Sequence, residues 1–237
     1  MASPPPPPSR TARILLHSAA AAIMISGYHN LTKLPINAFI STQYGGHLQY
    51  LTIQGLFVTC AATLISLLID LFPSVNGEYY STLKPFKRIL LIIAMPLSIT
   101  ISSIYWPLLL LATQLILQNG SGEPSSASSP HAPQPLLRIP LPMDLSLHAV
   151  PALTLLVDFL LFEKKYTRKE IRYGGTGISV VYTVFYAWWV ERCAGFNGGR
   201  FPYPFLTDNP FEIRLAIYVG AGILAFSSFW LINRVHA

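Results

Sequence analysis

The sequence predicts an all-α fold: a polytopic membrane protein built as a six-transmembrane-helix bundle with both termini cytoplasmic. Three observations carry that expectation. Of 237 residues, 52 % are hydrophobic and 11 % charged, and the mean hydropathy is +0.46, a composition outside the soluble range. The charges leave repeated apolar gaps long enough to cross about 30 Å of hydrocarbon, which takes roughly 20 helical residues. The basic residues are also uneven, eleven on one set of loops and termini against five on the other. Lys and Arg accumulate on the cytoplasmic side of short loops, so the richer set places the termini there.

The formal charge of +6 would suggest nucleic acid in a soluble chain. Here the basic residues sit in short loops between apolar runs, which reads as a topology signal and contact with anionic headgroups of the lipid bilayer. Nucleic acid is therefore not an expected partner, and the sequence names no protein partner. Cys60 and Cys193 fall inside or at the edge of spans and give neither a disulfide framework nor a metal spacing.

Taken in order, residues 1–11 hold the prolines Pro4 to Pro8 and form a disordered tail. The first helix, 12–30, resembles a signal peptide in its Arg-then-apolar opening, but the apolar character continues to Tyr28 with no convincing cleavage site, so it is read as retained. The second span, 47–72, closes with Asp70 and Pro73, and a loop with Glu78, Lys84, Lys87 and Arg88 follows. The third, 88–117, has no charge after Arg88 and is about 43 Å long if fully helical from Ile89. It is predicted as one tilted helix kinked at Pro96 and Pro107.

Residues 118–142, rich in Ser, Pro and Gly, form a flexible loop. The fourth span, 144–162, ends at the basic loop from Glu163 to Arg172. The fifth, 176–192, is aromatic, and Phe201 to Pro210 is a proline-broken aromatic loop suited to the interface. The sixth, 211–232, offers Gly220 and Gly222 for close packing, and completes a transmembrane domain over 12–232.

With this topology the second and fourth spans both enter from the non-cytoplasmic side. Thr52 lies six residues past Gly46 and His148 four past Asp144, so both sit roughly 6 to 9 Å inside the same face. A hydroxyl and an imidazole at one depth are the parts that nucleophilic acyl transfer needs, the imidazole accepting the hydroxyl proton as the oxygen attacks a carbonyl. Threonine in a membrane helix also commonly bonds its own backbone, so depth alone does not separate Thr52 from Thr59, Thr63 or Thr100. Asp144, one turn before His148, either orients the imidazole or caps the helix.

Asp158, ten residues beyond His148, lies on another face and is predicted as a buried polar contact. Asp70 is read as interfacial, His17 as near the cytoplasmic face, and His29 and His47 as near the outer face. No His-x-x-His, Cys-x-x-Cys or carboxylate cluster occurs at ligand spacing, so neither a metal nor a cofactor is predicted. The Gly-x-Ser-x-Gly elbow of soluble lipases is absent.

Several of these residues also carry a resemblance. Tyr44-Gly45-Gly46, Tyr50-Leu51-Thr52 opening the second span, Tyr105-Trp106 in a proline-bearing third span, and His148 with Asp158 resemble the androgen-induced protein family. That family includes the androgen-dependent regulator of tissue factor pathway inhibitor. Its members are multi-span membrane threonine hydrolases that cleave fatty acid esters of hydroxy fatty acids. The resemblance implies Thr52 as nucleophile, His148 as its base, and a membrane lipid as substrate. Asp144 is then a support for His148, and Tyr50 a possible oxyanion or substrate contact. The departures are the long Ser/Pro loop, Pro151 behind His148, the proline tail and the longer 195–210 loop. Endoplasmic reticulum or another endomembrane is the expected location, with plasma membrane the alternative. The competing functional reading is a non-catalytic multi-span protein, either a transporter or a lipid-binding scaffold.

Overall fold

The computed structural model describes residues 9–72, 78–117 and 138–236. The proline run, Pro73 and most of the Ser/Pro loop lie outside the described residues. Among those described, all regular structure is helical: α1 (Arg10–Leu31), α2 (Ile36–Thr42), α3 (Leu51–Leu71), α4 (Glu78–Leu111), α5 (Leu141–His148), α6 (Val150–Phe162), α7 (Thr176–Phe196), α8 (Pro204–Thr207) and α9 (Phe211–Val235).

Helix α1 starts where the Ser9 hydroxyl accepts the Ala12 N–H at 3.2 Å, satisfying one of the amides that a helix start leaves open. It buries His17, Ala20, Ala21, Met24, Gly27 and Leu31, a stripe at the three-and-four spacing of one helix face. Gly27 lets α1 approach α5 closely, since a Cβ there would lie 2.0 Å from Ser146 Oγ. Helix α3 packs against α1, α4, α5 and α6. Its Gly55 sits on Leu97 and Ile101 of α4. Its inward hydroxyls are satisfied inside the bundle: Thr59 bonds Ser98 at 2.8 Å, and Thr63 and Ser66 donate to carbonyls one turn back.

The fourth span is broken, with α5 and α6 meeting at an angle of 41°. The cause is Pro151, which cannot donate to the carbonyl one turn behind it. Ser102 of α4 donates to the His148 carbonyl at the break. A π-helical stretch, Glu170–Gly175, leads into α7, and Gly175 lies against the ring of Phe229 in α9. Of the two glycines expected to serve packing in α9, Gly222 meets Thr183 of α7, where a Cβ would come within 2.5 Å, whereas Gly220 faces open space.

Outward faces of α7 and α9 carry Val180, Val181, Val184, Phe185, Trp188, Val219 and Ile223 exposed. Such surface is ordinary against lipid and a liability against water. Helix α9 makes the point: its most apolar stretch has a mean hydropathy of 2.0, yet only 11 % of that stretch is buried.

Among the described residues, three helices are long and apolar enough to cross a membrane by length and composition alone, and the bent pair α5–α6 makes a fourth when counted as one span. Helices α1 and α7 are long enough, at 22 and 21 residues, but polar groups such as His17, Glu191 and Arg192 dilute them. The six-span count, and the sidedness built on it, therefore rests on including those two. The stretch from Glu78 to Arg88, expected as a loop, is instead the first part of α4.

Candidate active site

The start of α3 is held by α7. Gly45 and Gly46 have φ of 85° and 47°, a left-handed turn open to glycine, and a Cβ on Gly45 would lie 2.6 Å from Cys193 Sγ. The turn that follows is pinned by α7 side chains. Trp189 Nε1 donates to the Leu48 carbonyl at 3.0 Å, and the Tyr186 hydroxyl donates to the Gln49 carbonyl at 3.1 Å. The polar mouth of the second span is thus a rigid collar, and it delivers Thr52 as the second residue of α3, buried.

The Tyr203 phenol lies on the first turn of α3. Its oxygen accepts the Leu51 N–H at 3.1 Å, with the Thr52 N–H and hydroxyl as neighbouring donors. Burial pushes the Tyr203 phenol up from its ordinary value, against the opposing effect of those donors, so it stays protonated.

His148 is the last residue of α5 and is buried. Its Nδ1 lies 2.7 Å from Asp144 Oδ1 and 3.1 Å from the Asp144 carbonyl. Both are acceptors, so the geometry assigns the proton to Nδ1 and leaves Nε2 as the acceptor nitrogen of the neutral ring. Asp144 does not cap its helix by side chain; that position belongs to Pro140. The Tyr105 ring stacks on the imidazole, centroids 3.5 Å apart and planes within 2°.

Thr52 and His148, from helices 96 residues apart, line one cavity of about 130 Å³ together with Tyr50, His47, Tyr105 and Tyr203. A second, largely apolar cavity of about 120 Å³ lies on the other side of Thr52, between α4, α7 and α9. Thr52, Tyr105 and Tyr203 line both. His47 Nε2 is 2.6 Å from Asn37 Oδ1, and burial lowers its pKa from the ordinary value. His29 is exposed. Chemically the set comprises a hydroxyl, an imidazole oriented by a carboxylate, and phenols, all in apolar walls.

Tyr203 and Tyr105 entered the sequence reading only as interface aromatics and as part of a motif. The one local signal at Tyr203 is its placement between Pro202 and Pro204, which stiffens the chain that presents it.

The sequence reading also scattered a second polar cluster among separate roles. His17 Nδ1 lies 2.9 Å from Asp70 Oδ2 and its Nε2 3.0 Å from Asp158 Oδ1; both bonds form together when the ring carries two protons. Arg13 Nε is 3.1 Å from Asp70 Oδ1, Lys87 Nζ is 3.6 Å from Asp158 Oδ2, and Lys87 also donates to Glu163 at 2.6 Å. Asp70, expected at the interface, is buried at 6 % exposure because these partners compensate its charge. The cluster ties α1, α3, α4 and α6 together at the far end of the bundle, about 27 Å along α3 from Thr52.

An all-helical bundle with lipid-facing outer surfaces and a hydroxyl, imidazole and carboxylate set in internal cavities defines a multi-pass membrane protein with a buried polar site. The chain belongs to the FAR-17a/AIG1-like protein family, whose model matches residues 12–237. A UPF0641 membrane protein of Schizosaccharomyces pombe is 30 % identical over 223 residues, covering 93 % of this chain and 88 % of the relative. One of Saccharomyces cerevisiae is 26 % identical over 224 residues, covering 91 % and 87 %. No solved structure matches.

Proposed function

We propose that the protein is an intramembrane lipid ester hydrolase of the threonine type, acting on fatty acid esters of hydroxy fatty acids in an endomembrane. The observation that carries the reading is that Thr52 and His148, remote in sequence, line one cavity, with His148 Nδ1 bound to Asp144 so that Nε2 is the accepting nitrogen. The two cavities that meet at Thr52 suit an ester with an apolar arm on each side of its carbonyl.

In the reaction, Thr52 Oγ bonds to the carbonyl carbon while its proton passes to His148 Nε2 and the carbonyl π electrons move onto oxygen. Collapse of this adduct restores the carbonyl and breaks the bond to the hydroxy acid, whose oxygen takes the proton from His148. Water then attacks the acyl-Thr52 ester, again giving its proton to His148, and Thr52 leaves with that proton as the free fatty acid forms.

Purified protein in detergent or nanodiscs should release fatty acid from such an ester. Thr52→Ala and His148→Ala should each abolish release while thermal unfolding stays near that of the unaltered protein. A phosphonate hydrolase probe should label Thr52 and no serine. Full activity in Thr52→Ala would refute Thr52 as the nucleophile, and no ester hydrolysis by the unaltered protein would leave a transporter or scaffold as the better account.

A further inference from the structure

We infer that Tyr203 is the oxyanion donor of this site, with its phenol hydroxyl placed at the junction of the two cavities by the first turn of α3. The assignment rests on the hydrolase reading above. Its basis is the place of one oxygen. The Leu51 N–H donates to Tyr203 Oη at 3.1 Å, and Thr52 lies beside it as a neighbouring donor. When the Thr52 hydroxyl turns to give its proton to His148, the Leu51 amide still holds the phenol oxygen. An oxygen that accepts an N–H bond has its own O–H polarised and becomes a stronger donor. The ring is held as well: Tyr50 packs edge-on at 5.8 Å and Phe205 stacks at 5.3 Å.

Tyr203 lies beside Thr52, the proposed attacking residue, and it lines both cavities. A carbonyl placed for attack at the cavity junction therefore has its oxygen beside this phenol. A fixed donor at that point bonds the negative oxygen more strongly than the ground-state carbonyl, so its contribution appears in kcat. Tyr50 lines only the cavity that holds His148.

The test uses full-length protein and the palmitate ester of hydroxystearic acid. Tyr203→Phe keeps the ring and deletes the donor; kcat should fall by about 100- to 1,000-fold, with KM little changed. Amide hydrogen exchange at Leu51 should rise, because its N–H loses its acceptor, and this readout does not depend on hydrolysis. Tyr173→Phe, on the exposed outer surface, serves as the control. Faster exchange with an unchanged kcat would make Tyr203 a structural peg and overturn the assignment, as would a rise in KM alone, which signals uniform binding. Unaltered exchange would deny that Tyr203 holds this turn. If the unaltered protein hydrolyses no ester and Thr52 takes no probe, the hydrolase reading itself fails; activity in the unaltered protein that survives in Tyr203→Phe fails only the role of Tyr203.

Discussion

Replacing Asp144 with asparagine removes a negative charge from His148 while keeping the side chain's shape and one carbonyl oxygen. The structure sets the size of the effect. Nδ1 bonds the carboxylate at 2.7 Å, and the Asp144 main-chain carbonyl lies 3.1 Å from the same nitrogen. A hydrogen bond to a charged group contributes about 1.5–3 kcal/mol and a neutral one about 1 kcal/mol. Loss of the charged bond, part-compensated by the neutral one, leaves about 1–2 kcal/mol at the step where the imidazolium forms. Each 1.4 kcal/mol is a factor of ten, so kcat should fall about 5- to 30-fold. A far larger fall, of order 10,000-fold, follows elsewhere when such a change flips the imidazole tautomer. Here the main-chain carbonyl continues to require the proton on Nδ1, so the smaller loss is expected. The assay is steady-state ester hydrolysis together with the rate of phosphonate labelling at Thr52, both read against thermal unfolding. An unchanged kcat would refute the orienting role of Asp144, and a loss near 10,000-fold would refute the role assigned to the carbonyl.

Two further outcomes concern the frame of the bundle. His17→Ala leaves Asp70 and Asp158 buried without their shared partner, and breaking a buried pair typically costs about 3–5 kcal/mol. Arg13 and Lys87 remain beside them, so the lower end of that range is expected in detergent unfolding, and Asp158→Asn added to His17→Ala should recover part of it; an unchanged midpoint would mean that the cluster does not hold these helices. Glu170, in the turn before α7, is pushed down to about 2 by its bond from the Arg88 guanidinium, with Thr167 adding to it. A depressed carboxylate contributes stability above its ordinary value and loses it as the pH falls toward 2, so Glu170→Gln should lower stability most at neutral pH, flatten the acid limb of unfolding below about pH 4.5 and converge with the unaltered protein as the pH falls toward 2.

The residues divide into those whose part was legible in one dimension and those whose part was not. Apolar runs such as 51–71 and 211–235 announce membrane helices, because transfer into hydrocarbon is nearly additive along a segment. Thr52 and His148 could be paired by depth, because depth follows from helical rise alone. Asp144 could be placed on the His148 face by the same regularity, though a cap and an orienting group look identical until the side chain is seen.

What the tertiary structure decided depends on how helices are rotated, bent and packed. The break at Ala149 sets where the last turn of α5 points. Contact of α3 with α5 and α6 brings Thr52 and His148 to one cavity. Tyr203 reaches the start of α3 across 151 residues of chain, and His17, Asp70 and Asp158, three separate polar residues in sequence, become one compensated cluster. A polar side chain's local neighbours state its depth; they do not state its partner, because partners inside a bilayer come from other helices.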